Sequence, residues 1–190
     1  MVDAALAIFA EGGFEAASMA AIAARAEIAK SVLYDCFPGG KQELYEAVLT
    51  RVEELFTVGL DRLVDDVEAM PPGSTLAVGL AAFLRIADEH PEAFKVVFGG
   101  AGSADPNLAA RVEQVHERIV GRIGQVIASR IGGDPDALET ELFARSVVAI
   151  AEELARWIVR EPQAPREELV ELTAAWLING VSALAPHLRS

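Results

Sequence analysis

Cysteine is almost missing from this 190-residue chain, with Cys36 its single example. One thiol excludes an internal disulfide and fits a reducing cytoplasm. On the short helix it is read to occupy below, it serves as a small semi-buried filler rather than a redox sensor, having no second cysteine or activating base nearby. Histidine is scarce as well: His90, His116 and His187 stand far apart in sequence. No Cys/His/Asp cluster has metal-ligand spacing and no glycine-rich phosphate loop follows a strand, so neither metal, cofactor nor enzymatic activity is expected. No apolar run approaches the roughly 20 residues of a bilayer span. The N-terminus, MVDAALAIFAEGG, lacks a basic stretch and carries Asp3 and Glu11, unlike a secretory signal. A cytoplasmic chain with no membrane partner is expected.

Positive charge is the next shortage. Sixteen basic residues against twenty-nine acidic ones leave a net −13. Residues 1–50 hold three bases (Arg25, Lys30, Lys41) and seven acids, a net of −4. A nucleic-acid binder working through a general positive field is thereby excluded. Any affinity for DNA must come from a few well-aimed groups.

Alternating strand patterns and internal repeats are also absent, whereas helical periodicity runs from end to end. Residues 3–11 put Ala5, Leu6 and Phe9 on one face, and Gly12-Gly13 stop that helix. Ser18 can cap a second helix over 19–26, a turn spans 27–29, and a third helix covers 30–36. A long helix starts at Gln42 and carries Leu44, Val48, Val52 and Leu55 at helical spacing. MPPGS (70–74) marks the next boundary, with Ser74 as candidate cap of a helix to Glu89. Pro91 opens a short helix through Phe98. After a GGAGSADPN loop (99–107) comes a helix bearing Val112, Val115, Ile119, Ile123 and Val126. GGDP (132–135) starts another to Val159, REPQAP (160–165) breaks it, and a last helix spans 166–184. The expected fold is all-α with about nine helices: a three-helix head, residues 1–44, and a helical-bundle body, residues 45–190.

Two short helices joined by a three-residue turn cross steeply, so small and apolar residues must sit at their contact. Ile22, Ala23, Ala26, Ile28, Leu33 and Cys36 meet that demand, which suits a helix-turn-helix, although two ordinary bundle helices fit the same residues. The stretch AALAIFAEGGFEAASMAAIAARA followed by KSVLYDCFPGGKQELYEAVL resembles the N-terminal region of the tetracycline-repressor (TetR-type) family of transcription factors. The features shared are A-x-x-x-F-x-x-x-G-F, S-M-x-x-I-A-x-x-A, L-Y-x-x-F-P and a lysine opening the fourth helix. The resemblance implies that the third helix enters a major groove. Ser18 would bind a phosphate, Lys30, Ser31 and Tyr34 would reach the groove or its flanks, and Lys41 would take a further phosphate. Leu33 and Phe37 would point inward toward Phe9, Phe14 and Ile22.

Some positions depart from the family pattern. Glu27 stands where glycine is usual; a left-handed backbone there would cost on the order of 1–2 kcal/mol, unless the turn is remodelled. Ala29 replaces the usual capping serine or threonine, which typically costs about 1 kcal/mol. Asp35 would repel phosphate unless it accepts from a cytosine amino group. The family's basic arm before the first helix has no counterpart ahead of MVDAAL, which leaves open an absent arm or a truncated sequence.

For the body, the resemblance implies a bundle that encloses a small molecule and pairs through its last two helices. Leu154 and Trp157 on one helix, with Leu169, Leu172, Trp176 and Gly180 on the last, form a candidate homodimer interface. The alternative is that both faces are buried within one subunit. Phe83, Ile86, Phe94, Phe98, His116 and Ile119 are candidate pocket residues, and their apolar character favours a hydrophobic effector over a sugar or phosphate. Gly59, inside the fourth helix, is either a bending point or a packing contact. The reading is a homodimeric, ligand-responsive repressor on a partly palindromic operator in double-stranded DNA. The alternative is a dimeric small-molecule-binding protein whose head has lost DNA function, for which Glu27, Ala29, Asp35 and the acidic head argue.

Overall fold

The computed structural model describes residues 1–67, 72–99, 105–131, 134–161 and 163–184, with side chains described except at 60–67, 72–73, 130–131 and 180–184. Among these residues there are nine α-helices and no strand. They are α1 (Val2–Ala16), α2 (Met19–Arg25), α3 (Lys30–Cys36), α4 (Gly40–Val67), α5 (Pro72–Glu89), α6 (Pro91–Phe98), α7 (Pro106–Ile131), α8 (Leu138–Arg160) and α9 (Arg166–Leu184). The expected breaks at MPPGS, GGAGSADPN, GGDP and REPQAP each lie partly outside the described residues.

Several boundaries differ from expectation. The first helix runs to Ala16, past Gly12-Gly13 where a stop is expected, and the second ends at Arg25, one residue early. The fourth helix begins at Gly40 rather than Gln42. The fifth begins at Pro72, so Ser74 is inside it and not its cap. The eighth begins at Leu138, because Asp134 first organises a turn. Its carboxylate accepts from the Asp136 N–H at 2.9 Å, and its carbonyl accepts from the Thr140 hydroxyl at 2.8 Å.

The chain forms two compact units. The first joins Met1–Phe56 to Glu89–Arg118, so the head residues share a unit with α6 and the first part of α7. In α1, Ala5, Leu6, Phe9 and Ala10 are buried, and the helical course breaks at Gly13, whose φ of 74° suits a residue without Cβ. This helix packs against α2 and α6, and α2 packs against α3. Leu44, Tyr45, Val48, Leu49, Val52 and Phe56 of α4 are all buried at the three- and four-residue spacing of an inward helix face. The Phe9 ring stacks with Phe14 and meets Tyr45 edge-on at 4.9 Å; farther along, Phe56 meets Phe98 edge-on at 5.1 Å. Ion pairs Glu46–Arg111, at 2.8 Å, and Glu53–Arg118 tie α4 to α7. Hydrogen bonding to Glu53 raises the Arg118 pKa above its ordinary value.

The second unit comprises Thr57–Asp88 and Ile119–Ser190. Here α8 buries Ala144, Val147, Val148, Ala151, Leu154, Ala155 and Ile158, and it packs against α9. Gly59 is a close-packing position: a Cβ there would lie 2.6 Å from the Ile86 Cδ1. An Asp88–Arg166 ion pair links α5 to α9.

Candidate nucleic-acid interface

Ser18 begins the site. Its extended backbone (φ −128°, ψ 146°) lets its Oγ accept from the Ala21 N–H at 3.1 Å, capping α2. The hydroxyl proton is not used in that bond and can be donated outward. The α2 helix ends at Arg25 with Ala26 as its C-cap, and the chain reverses through Glu27, which has φ 55° and is the one non-glycine with positive φ among the described residues. The turn therefore keeps the left-handed conformation with glutamate in it. The Glu27 and Ile28 N–H groups donate to the carbonyls of Ala24 and Ala23 at 3.2 and 3.1 Å. Ala29 caps α3 by backbone alone, with no side-chain hydrogen bond.

Leu33 is fully buried and orients α3. At roughly 100° per residue, an inward Leu33 turns Ser31 and Asp35 to the middle of the outer face, with Val32 and Tyr34 on its two flanks. All four are exposed, Val32 at 43% and Tyr34 at 42%. Lys30 is exposed too, its Nζ 5.6 Å from the Tyr34 ring centroid. Phe37 is half-buried and Cys36 exposed, so the thiol is not the semi-buried filler expected. The expected residues Ser18, Lys30, Ser31 and Tyr34 thus all stand exposed on the α2–α3 pair.

Lys41 has another occupation. Its ammonium donates to the Phe14 carbonyl at 2.7 Å, to Ala17 at 3.0 Å and to Glu15 at 3.4 Å, above the Phe14 ring at 4.3 Å. Those carbonyls end α1, so the lysine neutralises the negative end of that helix with all three of its N–H groups. Sequence reasoning missed this role, and that of Tyr45. Burial, reinforced by the Glu15 and Glu46 carboxylates, raises the Tyr45 phenol above its ordinary pKa.

The body candidates divide between the units. Phe94, Phe98 and His116 belong to the first; Phe83, Ile86 and Ile119 belong to the second. The five apolar side chains are buried, and the half-buried His116 meets the Phe98 ring edge-on at 5.6 Å. Ligand atoms of Glu113, His116 and Glu117 come within 4.8 Å of one another, a donor set that could hold a divalent ion, which sequence spacing did not suggest. On α8 and α9, Trp157, Leu172 and Trp176 are 44%, 61% and 67% exposed, and Leu138, Leu142 and Val159 are exposed as well. Leu169 is half-buried, whereas Leu154 turns into the unit's own interior. Gly180 lies outside the residues whose side-chain surroundings are described.

Residues 1–48 match the family described as "Bacterial regulatory proteins, tetR family". Residues 72–183, more than half of the chain, match "Tetracyclin repressor-like, C-terminal domain". The chain belongs to the TetR family. This family consists of transcriptional regulators with a helix-turn-helix DNA-binding domain, not of enzymes. Among relatives of this TetR-family chain, the transcriptional activator FasR of Mycolicibacterium smegmatis is 29% identical over 188 residues, covering 96% of this chain and 81% of FasR. The transcriptional repressor KstR of Rhodococcus jostii is 26% identical over 170 residues, covering 86% and 74%. A TetR-like regulator from Rhodococcus sp. RHA1 superposes with a TM-score of 0.73 at 25% identity, over 95% of this chain and 93% of that one. FadR from Bacillus subtilis, solved with stearoyl-CoA, has the same fold with a TM-score of 0.74 at 15% identity, over 94% and 96%. Among the described residues no helix is long and apolar enough to cross a membrane.

Proposed function

We propose that the chain is a homodimeric repressor that binds a partly palindromic operator and is released by a small, mainly apolar effector. The observation that carries the DNA reading is α3 itself, anchored inward by Leu33 alone while Lys30, Ser31, Tyr34 and Asp35 face outward. Ser18, Lys30, Ser31 and Tyr34 are the proposed contacts, Ser18 and Lys30 to phosphate and the other two toward the groove. Lys41 is left out of this set because its ammonium is engaged on α1. Pairing through α8 and α9 is supported by the exposed Trp157, Leu172 and Trp176, and it would set two α3 helices about 34 Å apart, one per successive major groove. The KstR relatives support repression, whereas the FasR relative bears the opposite sign. The buried aromatic and aliphatic residues of the body support an apolar effector, and stearoyl-CoA, the ligand of the fold neighbour, is the first probe to try.

Titrating salt against binding to the DNA upstream of the chain's own gene tests this function. A dimer neutralising two phosphates, one through each Lys30, should give a log–log slope of about −1.8, since the uncharged Ser18 releases no counterion. The second reading, a ligand-binding dimer with a degenerate head, is favoured by the acidic head, by Glu27 in the turn and by the uncapped α3. It gives no saturable binding in the same titration.

A further inference from the structure

Asp35 is difficult to explain by folding. It lies in the last turn of α3, where a carboxylate opposes the helix dipole, and that turn holds no basic residue. It is exposed, and among the described residues no cation or donor pairs with it. Its helical position is the middle of the outer face, beside Ser31 and between the flanks of Val32 and Tyr34. On the Tyr34 flank Lys30 lies over the ring, which suits a phosphate strand. On the other flank Val32 presents an apolar side chain, 43% exposed, that neither fills the core nor carries charge.

Resting on the DNA reading proposed above, we infer that Asp35 and Val32 are specificity-determining residues, Asp35 selecting a cytosine and Val32 an adjacent thymine. A carboxylate can only accept hydrogen bonds, and guanine and thymine show it only acceptors in the major groove. Adenine offers its N6 amino group beside the N7 acceptor, which repels a second carboxylate oxygen. Cytosine offers its N4 amino group without such a neighbour on the same base. The thymine methyl is the one apolar group on a major-groove edge, and it matches Val32. Three residues apart on one helix, the two side chains have Cβ atoms about 5–6 Å apart. With base pairs stacked about 3.4 Å apart, the two bases fall within two base pairs of each other. The acidic residue that weakens a general attraction to DNA thereby becomes a filter against wrong bases.

The experiment is selection from randomised duplexes by the full chain, repeated with Asp35→Asn, Asp35→Ala and Val32→Ala, each checked for helix content. The wild type should enrich a half-site with a cytosine and a thymine within two base pairs. Asp35→Asn should shift the cytosine preference to adenine, which asparagine reads with two hydrogen bonds. Asp35→Ala should lose the base preference there and nowhere else, a loss of about tenfold discrimination or more. Val32→Ala should keep the cytosine and weaken the thymine. An unchanged enriched sequence in both Asp35 variants, with every duplex simply bound more tightly, overturns the inference and leaves the regulator standing. Enrichment of no duplex by the wild type overturns both.

Discussion

Glu27 shows how a single residue can carry strain for a motif. Its φ of 55° is the conformation the helix-turn-helix turn requires, and its side chain makes that conformation unfavourable. Glu27→Gly should therefore raise the stability of the chain by about 1 kcal/mol, read as a higher urea midpoint with an unchanged slope. Tyr45 makes a second argument at this scale. Burial raises its folded-state pKa, so the stability linked to it is complete below the unfolded value near 10 and is lost as pH rises through the folded value. Tyr45→Phe retains the ring against Phe9 and Phe14 and removes the ionisable group. The variant should keep its stability above about pH 10 where the wild type weakens, as followed by circular dichroism across an alkaline titration. The inward Leu33 and the outward Lys30, Ser31, Tyr34 and Asp35 of α3 were legible because they obey helical spacing, whereas Cys36, expected to be semi-buried, is exposed. Tyr45 was not, because an aromatic next to Leu44 on an amphipathic helix has no sequence mark that separates the core from its rim.

At the scale of helices, the fastening of α1 to α4 matters most for the head. Lysine at the start of the fourth helix was legible as part of a motif, but its target was not. Three carbonyl acceptors, from Phe14, Glu15 and Ala17, converge on Nζ only after the break at Gly13 turns the chain. Lys41→Met keeps the aliphatic stem and removes the donor, leaving those carbonyls underbonded in a part-buried place. The expected loss is about 1.5–3 kcal/mol, the range for a hydrogen bond to a charged group, measured by thermal unfolding. The α8 boundary teaches a related lesson. Asp134 can start a helix or a turn with the same side chain, and the turn prevails because Thr140 donates back to its carbonyl.

For the whole molecule, the exposed apolar residues of α8 and α9 decide what can be tested. Both tryptophans of the chain, Trp157 and Trp176, stand on these helices and are substantially exposed. If the proposed pairing covers them, their emission should shift to the blue as concentration rises from nanomolar to micromolar. Trp176→Glu should raise the dimer dissociation constant by roughly 30-fold or more, the effect of losing an interface hot spot worth about 2 kcal/mol. Analytical ultracentrifugation reads that change, and the variant's helix content should match the wild type. A variant that sediments as the wild type does would place the pairing surface elsewhere.

Helix type, helix order, the polar face of α3 and the family followed from local spacing and short motifs, since periodicity, caps and breakers act within a few residues. Which helices keep company did not. That α6, some forty residues beyond the motif, packs on α1, or that Glu46 and Glu53 find Arg111 and Arg118, depends on contacts between segments distant along the chain. Apolar periodicity tells which face of a helix is to be covered and is silent on what covers it. That is why Leu154 and Trp157, three residues apart on one helix, could be grouped in advance although one points inward and the other out.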